Sequence, residues 1–134
     1  MTTVSWDASE LNKLAADLGR VGPRSGAAAY VAVKASAAHV KDDAAAIARG
    51  IGPHVRQYPA SIGFDVHGTP GDVLRTGVIE AEIGPDKDKP QGALGNILEY
   101  GTSNNAPDAH LGPSLDREGP EFERATADAV GRWW

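Results

Sequence analysis

The chain has 134 residues and a mass of 14.0 kDa, a length that supports one hydrophobic core and not two. Hydrophobic residues make up 41% and charged residues 23%, a globular composition rather than a disordered one. Lys and Arg total 13 against 18 Asp and Glu, and the net charge of −5 argues against a nucleic-acid binder that works by neutralising phosphates. The absence of cysteine removes disulfide scaffolds, thiolate zinc sites and cysteine nucleophiles.

Met1 to Leu18 has no basic start followed by an apolar run, so no signal peptide is expected there. Gly26–Ile51 is the most apolar long stretch, but it carries Lys34, His39, Lys41, Asp42, Asp43 and Arg49. Each central charge opposes membrane insertion, so no membrane association is expected.

The first predicted element is a short helix. Asp7 and Glu10 have the spacing of a capping box, with Trp6 and Leu11 placed as a hydrophobic staple. Leu11, Leu14, Leu18 and Val21 continue one apolar stripe, and Gly22-Pro23 is expected to end it. A second helix, long and alanine-rich, is predicted from about Ser25 to Arg49. Its stripe is Tyr30, Val33, Ala37, Val40, Ala44 and Ile47. Gly50 and Gly52-Pro53 supply the stop.

The middle of the chain reads as β-structure. Ile62, Phe64 and Val66 alternate with Gly63, Asp65 and His67 at the period of a half-buried strand. A turn follows over 67–72, then a second strand from about Leu74 to Ile83 with Glu80 and Glu82 facing outward. Gly84-Pro85 is expected to open a solvated loop that runs through Asp86, Lys87, Asp88 and Lys89 to Pro90. A short helix is predicted over about Ala93–Tyr100, with Leu94, Ile97 and Leu98 inward and Gly101 as the stop. Thr102 to Pro113 reads as an exposed loop. The last helix holds Phe122, Ala125 and Ala129, with Pro120 fitting its first turn. Leu115 either belongs to a separate turn or to one helix that bends at Gly119-Pro120. The order predicts one α+β domain over 1–134, two-layered, with a long helix on a small antiparallel sheet and short helices at both termini.

Positive signals for catalysis are lacking. The four histidines are scattered, and only His67 with Asp65 and Asp72 groups potential metal ligands near one turn. Glu80 and Glu82 lie roughly 6.5–7 Å apart on one strand face, a spacing that fits a carboxylate pair, but an ordinary solvated strand face explains them as well. Neither a nucleophile elbow nor a phosphate-binding glycine loop is present. No cofactor is expected. Trp133-Trp134 at the chain end either folds back on the domain or meets another subunit.

The stretch Asn96-Ile-Leu-Glu-Tyr-Gly-Thr102 resembles a signature of the tail-component family of lambda-like siphophages, the head–tail connector or tail-completion proteins of long-tailed phages. Glu99, Tyr100, Gly101 and Thr102 match it, and Pro113, Leu115 and the helix through Phe122 occupy the expected places. The order of elements is similar along nearly the whole chain. One departure is that His110-Leu111 and Gly112-Pro113 stand where such proteins commonly have Pro-Phe.

The resemblance implies a non-enzymatic virion protein at the phage neck or upper tail, assembled in the host cytoplasm as a homo-oligomeric ring, with six-fold symmetry. Its implied partners are neighbouring neck, tail-terminator and tail-tube proteins, with DNA passing through unbound. Glu99, Tyr100, Gly101, Thr102, His110, Leu111, Pro113, Trp133 and Trp134 are then candidate partner contacts. Glu80, Glu82, Asp86 and Asp88 are candidates to face a channel, where like charge keeps DNA from adhering. The alternatives are a small cytoplasmic regulatory or peptide-binding module, or a small hydrolase using acidic residues.

Overall fold

The computed structural model describes residues 9–69 and 78–131. Helix α1 spans Ser9–Ala48, followed by two short 3-10 turns, Pro53–Val55 and Tyr58–Ser61. Strands β1 (Ile62–His67) and β2 (Glu80–Pro85) come next, then a 3-10 turn over Gly92–Leu94, helix α2 (Gly95–Tyr100) and helix α3 (Leu111–Gly131). The fold is α+β: α1 and α3 pack together and on a two-stranded antiparallel sheet, with short helices between.

The expected break at Gly22-Pro23 does not occur, and α1 runs through it. Proline disfavours a helical predecessor mainly by crowding that residue's Cβ and N–H. Gly22 has no Cβ, and proline's own φ is already helical. The same pair recurs at Gly119-Pro120, inside α3 rather than in its first turn. The chain therefore has long helices where short terminal ones were expected. Leu115 belongs to this single helix and is 59% exposed. The capping box and staple at Asp7 and Trp6 lie outside the described residues, as do the side chains of Leu11, Leu14, Leu18 and Val21.

The strand register pairs Ile62 with Pro85, Phe64 with Ile83 and Val66 with Ala81. This apolar face turns toward α1, which packs on both strands. The other face pairs Gly63 with Gly84, Asp65 with Glu82 and His67 with Glu80. Asp65, His67, Glu80 and Glu82 on it are exposed. β2 ends at Pro85, so Gly84-Pro85 closes the strand rather than opening the loop. Its start is later than expected, at Glu80, and residues 70–77 lie outside the description.

The core is small. Ala44, Ala45, Ala48, Val55, Tyr58 and Ile62 form its buried cluster, with Ile51, Leu94, Leu98 and Leu111 packed against it. Alanines on α1 let the 3-10 turns and the sheet approach closely. Ile97, expected to face inward, is 49% exposed. α2 is only six residues long, so Leu94 and Leu98 already fill the side that meets the core.

Candidate functional site

The signature residues sit at the junction of α2 and α3. Glu99, in the last turn of α2, is 8% exposed. Its Oε2 accepts the backbone N–H of His110 and of Leu111, both at 2.9 Å, and its Oε1 accepts that of Gly112 at 2.8 Å. These are N–H groups that the start of α3 leaves without helical partners, and the helix dipole favours a negative charge there. A residue twelve positions before the first residue of the helix thus supplies its cap. Burial pushes the Glu99 carboxyl upward, but the three N–H bonds and the nearby His110 ring outweigh it, so its pKa falls below the ordinary 4.5.

His110 is fully buried. Its Nδ1 lies 2.9 Å from the Asp108 carbonyl oxygen and 3.1 Å from Glu99 Oε2. Two acceptors at Nδ1 place a proton there, so in the neutral ring Nε2 accepts the Tyr58 hydroxyl at 2.6 Å. The Tyr58 and His110 rings meet edge to face at 5.2 Å. Burial pushes the Tyr58 hydroxyl up to about 12, with the Glu99 charge adding to it. Ser114 donates to the His110 carbonyl at 2.7 Å and Ser61 to the Tyr58 carbonyl at 2.6 Å. Gln91 fastens the same region: its Oε1 accepts the N–H of Gln57 and Tyr58, and its Nε2 donates to the His54 carbonyl. Tyr58, His110 and Glu99 form one connected cluster, with Tyr58 hydrogen-bonded to the His110 ring and Glu99 to the His110 backbone N–H. Tyr58 and His110 expose no surface, so a substrate has no access to it.

Gly101 ends α2 with φ 73 and ψ −175, a region only glycine adopts readily. Its N–H donates to the Ile97 carbonyl at 2.8 Å, and a Cβ there would lie 2.7 Å from the Asn105 carbonyl oxygen. The Thr102 hydroxyl accepts the N–H of Asn104 and Asn105. The Asp108 N–H donates to the Leu98 carbonyl at 2.7 Å. Tyr100 turns its side chain outward, at 77% exposure. Ile97 stands one turn before it on α2.

The exposed loop is shorter than expected. Residues 102–109 are exposed, but His110 is buried and α3 begins at Leu111, with Pro113 in its first turn. Proline is tolerated there because its missing N–H would have no helical partner. The structure thus brings Glu99, Tyr100, Gly101, Thr102, His110, Leu111 and Pro113 to one junction. Trp133 and Trp134 lie outside the described residues.

Glu80 and Glu82 are exposed on the open sheet face, and Asp86 and Asp88 in the loop beyond it. Asp86 Oδ1 accepts the Asp88 N–H at 2.9 Å, and His67 Nε2 lies 3.4 Å from Glu82 Oε2. A groove of about 900 Å³ runs between this face and residues 86–96. Of the suggested metal group, His67 and Asp65 lie on β1 and Asp72 is outside the description. Among the described residues no cluster of three His, Asp or Glu could hold a metal, and no helix is long and apolar enough to cross a membrane.

Tyr58, Gln91 and the two buried serines were not legible as site residues. Their partners lie 3 to 52 positions away with no periodic relation. Compared with protein-family models, curated proteins and solved structures, the chain matches none.

Proposed function

We propose that this protein is a non-enzymatic, ring-forming subunit of a long-tailed phage, completing the tail or joining it to the head. The observation that carries the reading is how the Glu99-Tyr100-Gly101-Thr102 signature is used. Glu99 caps α3, Gly101 makes the turn and Thr102 holds the next one. Tyr100 is left as an exposed aromatic on a rigid mount, with Ile97 beside it. Large aromatics in such settings are favoured anchors for protein partners. The length of α1 supports the same reading. Forty residues make a helix of about 60 Å, twice the span of a small domain, which gives neighbours a long surface. The net charge of −5 lets DNA pass without adhering.

The test is electron microscopy of particles from a phage lacking this gene, with complementation as control. Separate full heads and finished or overlong tails are expected. Normal infectious particles would remove the reading.

A further inference from the structure

We propose that the open face of the β1–β2 sheet docks onto the free side of α1 in a second copy of this chain, forming a head-to-tail contact. The inference deepens the ring reading above and rests on it.

The acceptor face is acidic. Asp65, Glu80 and Glu82 are exposed on it, with Asp65 directly across from Glu82. Beside them Gly63 faces Gly84, and a Cβ added to either would meet nothing within 4 Å. The groove therefore has bare backbone at Gly63 and Gly84, beside Phe64, Ile83 and Pro85 and next to the carboxylates of Asp65 and Glu82. At the far rim Asp86 and Asp88 alternate with Lys87 and Lys89, and their charges cancel.

The docking side belongs to α1. One side of this helix is buried at Ala37, Val40, Ala44, Ala45 and Ala48, and the helix packs on both strands. A second side meets α3, where His39 contacts Glu118 and Asp43 contacts Arg117. At 100° per residue, Arg24, Val31 and Arg49 fall on the remaining side with Asp42 among them, Lys34 lies about 60° round from Val31, and Lys41 falls between the buried Ala45 and Ala48. Arg24 and Lys34 are exposed, and Val31 is 65% exposed among them. This patch is about 37 Å long by helical rise from Arg24 to Arg49, and a six-residue strand is about 20 Å. An apolar residue flanked by cations on one surface thus matches bare backbone next to carboxylates on the other.

The two patches differ, so the contact is heterologous and repeats from copy to copy, closing a ring when the rotation allows. It places Glu80 and Glu82 against a neighbouring subunit rather than on a channel wall. The sheet face offers roughly 200 Å² by strand spacing and length, far below the ~800 Å² per partner of a stable pair. A single contact is therefore weak, salt-sensitive and dependent on repetition around the ring.

Sedimentation at high protein concentration and low salt tests the contact. The intact chain is expected to self-associate, and added salt to dissociate it. The E80K/E82K and R24E/K34E variants are each expected to associate at least tenfold more weakly. Their equimolar mixture is expected to recover association, because each then presents an opposite charge to the other. Both variants remain net negative, so overall charge does not explain recovery. All four positions are exposed, and circular dichroism checks that the variants fold. A monomer under every condition, or loss that the mixture fails to restore, overturns the proposal. So does association that survives either reversal, which leaves a ring built through another surface standing.

Discussion

At residue 99 one carboxylate holds three backbone N–H groups and ties two helices together. Hydrogen bonds to a charged acceptor contribute about 1.5–3 kcal/mol each, though not additively. Glu99→Gln keeps the shape, removes the charge and turns an amide N–H₂ toward N–H donors. The expected loss is about 2–4 kcal/mol at neutral pH, read by urea unfolding. Because the folded carboxyl titrates below its ordinary value, its contribution is complete above pH 4.5 and is lost as pH falls through the lower folded value. The difference between the intact chain and the variant should therefore shrink below pH 4.5. A constant difference down to pH 2 would show that the ionised carboxylate is not the source.

At the scale of elements, Gly22-Pro23 and Gly119-Pro120 show a sequence rule applied too broadly. Proline lowers the odds of a helical predecessor, but much of that penalty acts through a Cβ that glycine lacks. Proline still removes one helical hydrogen bond and crowds the preceding turn. Pro120→Ala should thus stabilise α3 and raise the melting temperature, by about 1–3 kcal/mol at this exposed position. An unchanged or lower melting temperature would mean that α3 depends on a proline-induced bend. The strands and the long alanine-rich helix were legible because periods of 2 and 3.6 are local properties. At the α2–α3 junction, only the stop at Gly101 was legible from the residues. Nothing periodic says that Glu99 reaches His110, or that His110 reaches back to Tyr58. The start of α3 was misplaced for the same reason: a polar, proline-containing stretch reads as loop until its distant cap is known.

For the whole molecule, the proposed ring reading puts stability and assembly on different residues. Glu99, His110 and Tyr58 are buried and hold the fold, whereas Tyr100 is solvent-facing at the same junction. Tyr100→Ala should leave the melting temperature nearly unchanged, since exposed substitutions usually shift stability by no more than about 0.5 kcal/mol. The ring reading expects it to fail in complementing the phage that lacks this gene. Full complementation would move the partner contact away from Tyr100. The opposite charges of the sheet face and the free side of α1 add a second surface of this kind. Both are built from side chains that the core does not need.

The loop over 102–109 has one further consequence. Its ends are pinned by Gly101 and Glu99 on one side and by Asp108 and His110 on the other. Once the ends are fixed, chain length between them costs little: each doubling adds only about 0.6 kcal/mol of closure entropy. Inserted residues would leave the capped helix start where it is. Evolution can therefore vary the length and chemistry of this segment almost independently of the domain that carries it, and a short epitope inserted there would report on assembly without disturbing the fold.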